Sequence, residues 1–452
     1  MRVHFIAIGG SAMHNMAIAL HKKGFEVSGS DDEIFEPSKG RLEKYGLLPK
    51  KIGWDPDYIN DSIDAIILGM HAKQDNPELK RAQELGLKIY SYPEYIYEQS
   101  RDKKRVVIGG SHGKTSITSM ILHVLQFQKI DFDYMVGAQL EGFETMVSLS
   151  DAPLIIIEGD EYLSSPIDRR PKFLWYKPDV AVISGIAWDH INVFPTFENY
   201  VEQFQLFIDS ISEKGQLIYY EGDETLNELV SESKSSSQKI NYKAHEHEIK
   251  DGITFLKKND HQIKVGIFGD HNLQNLNAAL LVCEALGINS NDFYEAIQSF
   301  GGAAKRLELI AKNKHSLVYK DYAHSPSKLK ATTQAVKKQY PNKKLIACME
   351  LHTFSSLNKE FLQEYSGAMS AADEAVVYFN PKAIEHKGLD SISKAEVESA
   401  FRPSLVRVYD QSETVKQFLE GNKLENAVLL LMTSGNFDGI DLNKLGESLI
   451  DD

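Results

Sequence analysis

The run Gly109-Gly110-Ser111-His112-Gly113-Lys114-Thr115-Ser116 follows the apolar stretch Arg105 to Ile108 and precedes a segment in which Ile117, Met120, Ile121 and Val124 recur at helical spacing. A strand, a glycine turn and a helix start in that order aim backbone N–H groups and the positive end of a helix dipole at polyphosphate. Lys114 adds a point charge for the β and γ phosphates, and Thr115 adds a hydroxyl for Mg²⁺. The general phosphate-loop spacing would want glycine at position 108, which is isoleucine, so this turn is one residue shorter. A turn that only joined strand to helix would rarely need a lysine followed by two hydroxyl residues. The loop is therefore read as an ATP site with Mg²⁺, made by Gly110, Ser111, His112, Gly113, Lys114, Thr115 and Ser116.

Two further groups suit a metal. Glu158 ends the run Leu154 to Ile157, and His190 follows the run Val180 to Ile183; both runs are continuous and rich in β-branched residues, as buried parallel strands are. Either residue alone would ordinarily be a capping or surface group. Beside Lys114 and Thr115 in fold order, a carboxylate and an imidazole just beyond parallel strands can converge on a hard cation. Thr115, Glu158 and His190 are the expected metal ligands. His4, His14, His21 and His71 have no compact ligand spacing and read as packing or surface histidines.

The elements that must hold these residues form three blocks. Val3 to Ile8, Gly9-Gly10, the helical spacing of Met13, Met16, Ala17 and Leu20, then Gly24 and a strand through Val27 make a β-turn-α-β unit. Ala65 to Leu68 and Leu87 to Tyr90 extend it, giving a Rossmann-like first domain over residues 1–103. A central domain of P-loop ATPase type is expected over 104–301, with a serine- and lysine-rich stretch at Ser231 to Gln238 and a two-stranded exposed hairpin within Ile253 to Phe268. Runs at Leu317-Tyr319, Leu345-Met349, Ala375-Phe379 and Ala427-Met432 predict a third, Rossmann-like α/β domain over 302–452, with Gly301-Gly302 able to absorb hinge rotation.

At 452 residues the chain is too long for one core, and its 42% hydrophobic and 25% charged content is that of an ordinary globular protein. With 64 acidic against 50 basic residues the net charge is −14, which argues against a general nucleic-acid or anionic-membrane surface. Phosphate binding must then be local. Cys283 and Cys348, far apart, read as buried reduced thiols rather than a disulfide. The apolar run at Met1 to Gly10 is too short for a signal sequence or span, and no later run approaches about 18 residues, so a cytoplasmic protein is expected.

The short loop resembles the signature of the Mur ligases and their folate-ligase relatives, and other segments are similar to that family in the same order. Glu158-Gly159-Asp160-Glu161 looks like its acidic motif and Asp189-His190 like its aspartate-histidine motif. Gly269 to Asn275, followed by Ala278-Ala279, looks like its nucleotide-contacting helix start. Lys305-Arg306-Leu307-Glu308 and Asp321-Tyr322-Ala323-His324-Ser325-Pro326 look like the segments that open the third domain and close over ATP. The resemblance implies ATP-dependent amide-bond formation through an acyl-phosphate. It makes Lys114, Glu158, His190, Arg306 and His324 the catalytic candidates and His271, Asn272, Asn275, Arg306 and Asp321 further nucleotide contacts. Several family members carry a carbamylated lysine after the aspartate-histidine motif, where this chain has Phe204.

That departure points to the branch acting directly on UDP-N-acetylmuramate, with Gly9, Gly10, Ser11, Met13, Ser30, Asp31 and His71 as its contacts. The first glycines do not fit G-x-G-x-x-G, since Ala12 and Met13 follow Ser11, which disfavours a dinucleotide oxidoreductase. Intact Lys114, Glu158 and His190 argue against a noncatalytic nucleotide-sugar-binding homologue. Glu33 to Ser38, Leu42 to Gly46, Asp168 to Phe173 and Ser434 to Gly439 resemble the murein peptide ligase branch, whose acceptor is the tripeptide L-alanyl-γ-D-glutamyl-meso-diaminopimelate. Leu351-His352-Thr353-Phe354-Ser355 resembles the L-alanine-adding branch, although Ser356 stands where arginine is common, and the peptide-ligase run proline-arginine-serine-asparagine is absent. The tripeptide is the expected acceptor, L-alanine the alternative. Lys359, Lys382 and Arg402 are candidate contacts for its carboxylates.

Overall fold

The computed structural model describes residues 1–188, 193–259, 261–302, 306–421 and 424–450. Its elements group into two compact units, Met1–Lys243 with Asn275–Ile297, and Ala244–Gln274 with Gln298–Asp452. Both are α/β.

The first unit holds two sheets. A four-stranded parallel sheet runs in the order Glu26–Ser30, Arg2–Ile6, Ala65–Leu68, Ile89–Ser91. The helix Ser11–Lys22 buries Met13, Met16, Ala17 and Leu20, the residues whose spacing predicted it. A seven-stranded sheet follows in the order Gln238–Tyr242, Gln216–Tyr220, Val180–Ile183, Lys104–Gly109, Leu154–Glu158, Asp133–Met135, Val147–Ser148. All its pairings are parallel except the last, which is an antiparallel hairpin. Leu154–Glu158 and Val180–Ile183 are buried throughout, as strands covered on both faces must be. The register sets Ile108 beside Glu158 and Gly109 beside Ile183. The carboxyl edge of this sheet therefore carries the phosphate loop and the acidic motif on adjacent strands.

In the second unit, six strands lie in the order Glu308–Lys312, Leu317–Asp321, Ala427–Met432, Lys344–Leu351, Glu374–Phe379, Val406–Tyr409. The first pair is antiparallel and the rest parallel. The expected two-stranded hairpin is present as Ile253–Lys258 and His261–Val265, and a further strand, His247–Lys250, pairs with it to make a three-stranded antiparallel sheet. Its first strand, His-Glu-Ile-Lys, is too polar to be read from periodicity and is held by pairing with Ile253–Lys258. Cys283 lies buried in the first unit and Cys348 in the second, both as free thiols.

Candidate functional site

The phosphate loop is held by contacts that leave its shape little freedom. Gly110 and Gly113 have φ of 115° and 79°, and a Cβ on either would collide, with Ser184 Oγ in one case and the Asn275 amide oxygen in the other. Ser111 N–H donates to the Gly185 carbonyl at 3.0 Å, and its hydroxyl lies 2.9 Å from Tyr200 Oη and accepts from Ala187 N–H at 2.8 Å. The turn is thus anchored in part from outside itself, by Gly185 and Ala187 just beyond the strand Val180–Ile183 and by Tyr200.

Lys114 Nζ donates to the Gly110 carbonyl and to Glu161 Oε2, each at 2.7 Å. Burial works against its charge, but Glu161, Asp160 and Glu158 outweigh that and raise its pKa above the ordinary lysine value. Thr115 Oγ1 donates to Glu158 Oε1 at 2.8 Å, and Gly137 N–H donates to Glu158 Oε2 at 2.9 Å. Burial raises the Glu158 pKa, opposed by Gly137 N–H, Lys114 and Thr115. A hydroxyl and a carboxylate oxygen side by side, next to a lysine and a glycine cradle, are the hard donors that Mg²⁺ on a polyphosphate requires. His190 and Asp189 lie outside the described residues, as does Lys305; among the described residues no group of three or more His, Cys, Asp or Glu side chains is disposed around a metal position.

In the amino-terminal sheet, Gly9 N–H donates to Asp31 Oδ2 at 2.7 Å. His14 Nδ1 is 2.9 Å from the Gly10 carbonyl and Asn15 Nδ2 donates to the Ser11 carbonyl at 2.8 Å. Met13 is buried; Ser11 and His71 are exposed. The Ser30 hydroxyl is taken up by the fully buried Glu78 carboxylate, whose other oxygen accepts Asp55 N–H at 2.7 Å, so Ser30 shapes this loop through its backbone carbonyl, which receives Ala7 and Ile8 N–H at 3.0 Å.

Burial pushes the Asp31 carboxyl up to about 6, against the Gly9 N–H and with Asp32 adding to the rise. A carboxyl whose folded pKa lies above its unfolded value costs stability as pH rises from the ordinary carboxylate range through about 6. Asp31→Asn keeps an oxygen for Gly9. Its melting free energy should therefore gain on wild type by about 1 kcal/mol between roughly pH 4.5 and 7.5, and a difference that stays constant over that range would contradict the assignment.

The second unit assembles another set. Asp321, buried, accepts Leu307 N–H and Ala323 N–H at 2.7 Å each, so it braces the backbone on both sides of the site. That bracing brings the Arg306 guanidinium over the Tyr322 ring at 4.9 Å, and the Tyr322 and His324 rings to 5.1 Å. His324 Nδ1 is 2.8 Å from the Tyr322 carbonyl. His271 belongs to the same cluster: burial lowers its pKa, with Asp321 and Asp270 opposing and Arg306 assisting. Asn272 Nδ2 donates to the Phe268 carbonyl at 2.9 Å.

Residues 2–104, 108–283 and 305–435 match, in turn, the models described as Mur ligase family catalytic domain, Mur ligase middle domain, and Mur ligase glutamate ligase domain. A UDP-N-acetylmuramate–L-alanine ligase of Caldicellulosiruptor bescii is 31% identical over 386 residues, 82% of this chain and 82% of that one. This chain belongs to the Mur ligase family. A second relative, the UDP-N-acetylmuramate–L-alanyl-gamma-D-glutamyl-meso-2,6-diaminoheptandioate ligase of Haemophilus influenzae, is 26% identical over 97% of each chain. The crystal structure of a UDP-N-acetylmuramate-alanine ligase from Thermotoga maritima shares the fold, with a TM-score of 0.69 at 22% identity over 97% of this chain and 96% of that one.

As a Mur ligase, the protein is an ATP-dependent, amide-bond-forming enzyme of peptidoglycan biosynthesis that works with Mg²⁺. No described helix is long and apolar enough to cross a membrane. Phe204, which the sequence resemblance sets against a lysine of several family members, is fully buried in an aromatic cluster, its ring 5.6 Å from Phe173 and 5.3 Å from Tyr200. Three participants escaped the sequence reading: Glu161 as the partner of Lys114, Tyr200 Oη donating to Glu161 Oε1 at 3.0 Å, and Gly137 on Glu158. The acidic motif contained Glu161, and that was the one available signal.

Proposed function

We propose that the protein joins the carboxyl group of UDP-N-acetylmuramate to the amine of L-alanyl-γ-D-glutamyl-meso-diaminopimelate, in the cytoplasm, as a step that returns a recovered murein tripeptide to synthesis. The observation that carries the phosphoryl half is the Thr115–Glu158 hydrogen bond beside Lys114 at the carboxyl edge of a parallel sheet. A muramate carboxylate oxygen attacks the γ-phosphorus, the β–γ bridging bond breaks, and ADP leaves an acyl-phosphate. The acceptor amine then attacks the acyl carbon, forming the amide and releasing phosphate and a proton. Mg²⁺ supplies charge neutralisation when two anions approach.

In this reading Thr115, Glu158 and His190 hold the metal, while Gly110 to Ser116 with His271, Asn272, Asn275, Arg306 and Asp321 contact nucleotide. Lys114 screens the transferring phosphoryl group, and Arg306 and His324 assist from the third domain. Gly9, Gly10, Ser11, Met13, Ser30, Asp31 and His71 frame the nucleotide sugar. The division into domains 1–103, 104–301 and 302–452 belongs to the same proposal.

The tripeptide is favoured by the peptide-ligase-like segments at Glu33 to Ser38 and Asp168 to Phe173. Glu33 and Ile34 lie against Gly9, at the base of the proposed sugar loop. Asp168 holds Arg170 through both carboxylate oxygens, at 2.9 and 3.1 Å, and accepts Trp175 Nε1–H at 2.9 Å, which makes its segment a defined surface rather than a loose insertion. Lys359 pairs with Glu396 at 2.5 Å, so Lys382 and Arg402, both exposed, are the cations to test first as acceptor contacts. L-alanine is the second reading, favoured by His352-Thr353-Phe354 and by the Caldicellulosiruptor bescii relative.

Phosphate release should be compared with the two acceptors at equal concentrations, UDP-N-acetylmuramate being saturating. The tripeptide is expected to give a kcat/KM at least about tenfold higher, roughly 1.4 kcal/mol of transition-state discrimination. Preference for free alanine would transfer the enzyme to the second reading.

A further inference from the structure

Asn15 is fully buried in the first turns of the helix Ser11–Lys22 and bonds in two directions. Its Nδ2 donates to the Ser11 carbonyl at 2.8 Å, and its Oδ1 accepts Met146 N–H at 2.9 Å, 131 residues away. A carbonyl can only accept and an N–H can only donate, so these two partners fix the amide's orientation. The Met146 carbonyl in turn accepts Val136 N–H at 2.9 Å, and the next residue, Gly137, donates its N–H to Glu158, which holds Thr115. A series of hydrogen bonds, continued through the backbone of Met146 and of Val136-Gly137, therefore joins the Gly9-Gly10-Ser11 turn to the Thr115–Glu158 pair.

The same 137–146 segment is clamped a second time. Glu144 takes Lys22 Nζ at 2.7 Å, Lys44 Nζ at 2.8 Å and Tyr45 Oη at 2.5 Å, and Gln139 Oε1 accepts Arg41 NH2 at 2.9 Å. Both lysines stand over the Tyr45 ring, at 5.2 and 5.3 Å. All four partners lie on the amino-terminal sheet's side of the unit, on helices that follow the glycine turn or on the residue just after one.

We infer that Asn15 is a positioning residue that couples the nucleotide-sugar turn to the Glu158 carboxylate through the segment Val136 to Met146, with Glu144 as its outer clamp. The inference rests on the proposed roles of Ser11 and Glu158. Asn15 and Glu144 act through these residues and not on the reacting atoms; their effect is that sugar binding and metal-nucleotide binding strengthen each other, a coupling that is reciprocal by linkage.

Calorimetry of UDP-N-acetylmuramate binding, with and without Mg²⁺ and a non-hydrolysable ATP analogue, reads that coupling. In wild type the sugar is expected to bind about fivefold tighter with the second pair present, the lower end of ordinary coupling. In Asn15→Asp, which keeps the shape and the acceptor oxygen but sets an oxygen against the Ser11 carbonyl, the ratio should fall to about one. Glu144→Gln, on the surface and without consequence for the core, should lower it part of the way. A ratio unchanged in both variants, or absent from wild type, overturns the inference and leaves the substrate reading standing. No binding of UDP-N-acetylmuramate to wild type under any condition overturns the substrate reading itself.

Discussion

Lys114→Ala is expected to lower ATP-dependent phosphate release by about 10³-fold or more in a protein that still folds. The side chain is placed by the Gly110 carbonyl and Glu161, not by apolar packing, and its pKa is raised, so it carries full charge at neutral pH. Its loss also affects stability. The Glu161 side chain is 1% exposed, and removing the ammonium it faces leaves a buried carboxylate with less compensation, at a cost of about 3 kcal/mol by analogy with broken buried pairs. Adding Glu161→Gln should restore much of the melting temperature and none of the turnover. Phosphate release near the wild-type rate in the folded single variant would remove Lys114 from the mechanism.

Glu158→Gln is expected to cost about 10² to 10³ in kcat and to raise the Mg²⁺ needed for half-maximal rate. The substitution keeps the shape and an oxygen for Thr115 or Gly137, so it removes charge with little change in packing. The two variants separate by a simple titration. Excess Mg²⁺ should recover part of the Glu158→Gln rate and none of the Lys114→Ala rate. Because burial raises the Glu158 pKa, the wild-type rate should also fall on the acid side as the carboxylate protonates, while that limb flattens in Glu158→Gln. An unchanged Mg²⁺ requirement would take Glu158 out of the metal site.

The strands Ala65–Leu68, Val180–Ile183 and Ala427–Met432 were legible to the residue because each is a short apolar run covered on both faces. Three edge strands were not. Gln238–Tyr242 and Val406–Tyr409 show one face to water and alternate too weakly, and Glu308–Lys312 is broken by a register shift between Leu309 and Ala311. The phosphate loop could be read because lysine, threonine and glycine must stand at fixed offsets for their backbone and charges to meet phosphate. Asn15 and Gly137 carried no such mark. Their roles come from hydrogen bonds to backbone groups far away in the chain, and a backbone N–H has no residue type to betray it.

The placement of the two cysteines has a practical consequence for following this molecule's motions. Burial raises the pKa of both Cys283 and Cys348, and a sulfur that is neither ionised nor accessible reacts with an alkylating reagent only after its surroundings open. Each compact unit holds one of them. Alkylation resolved by peptide mass therefore times the opening of the two units separately, without an engineered label, and shows which of them a bound nucleotide or sugar slows.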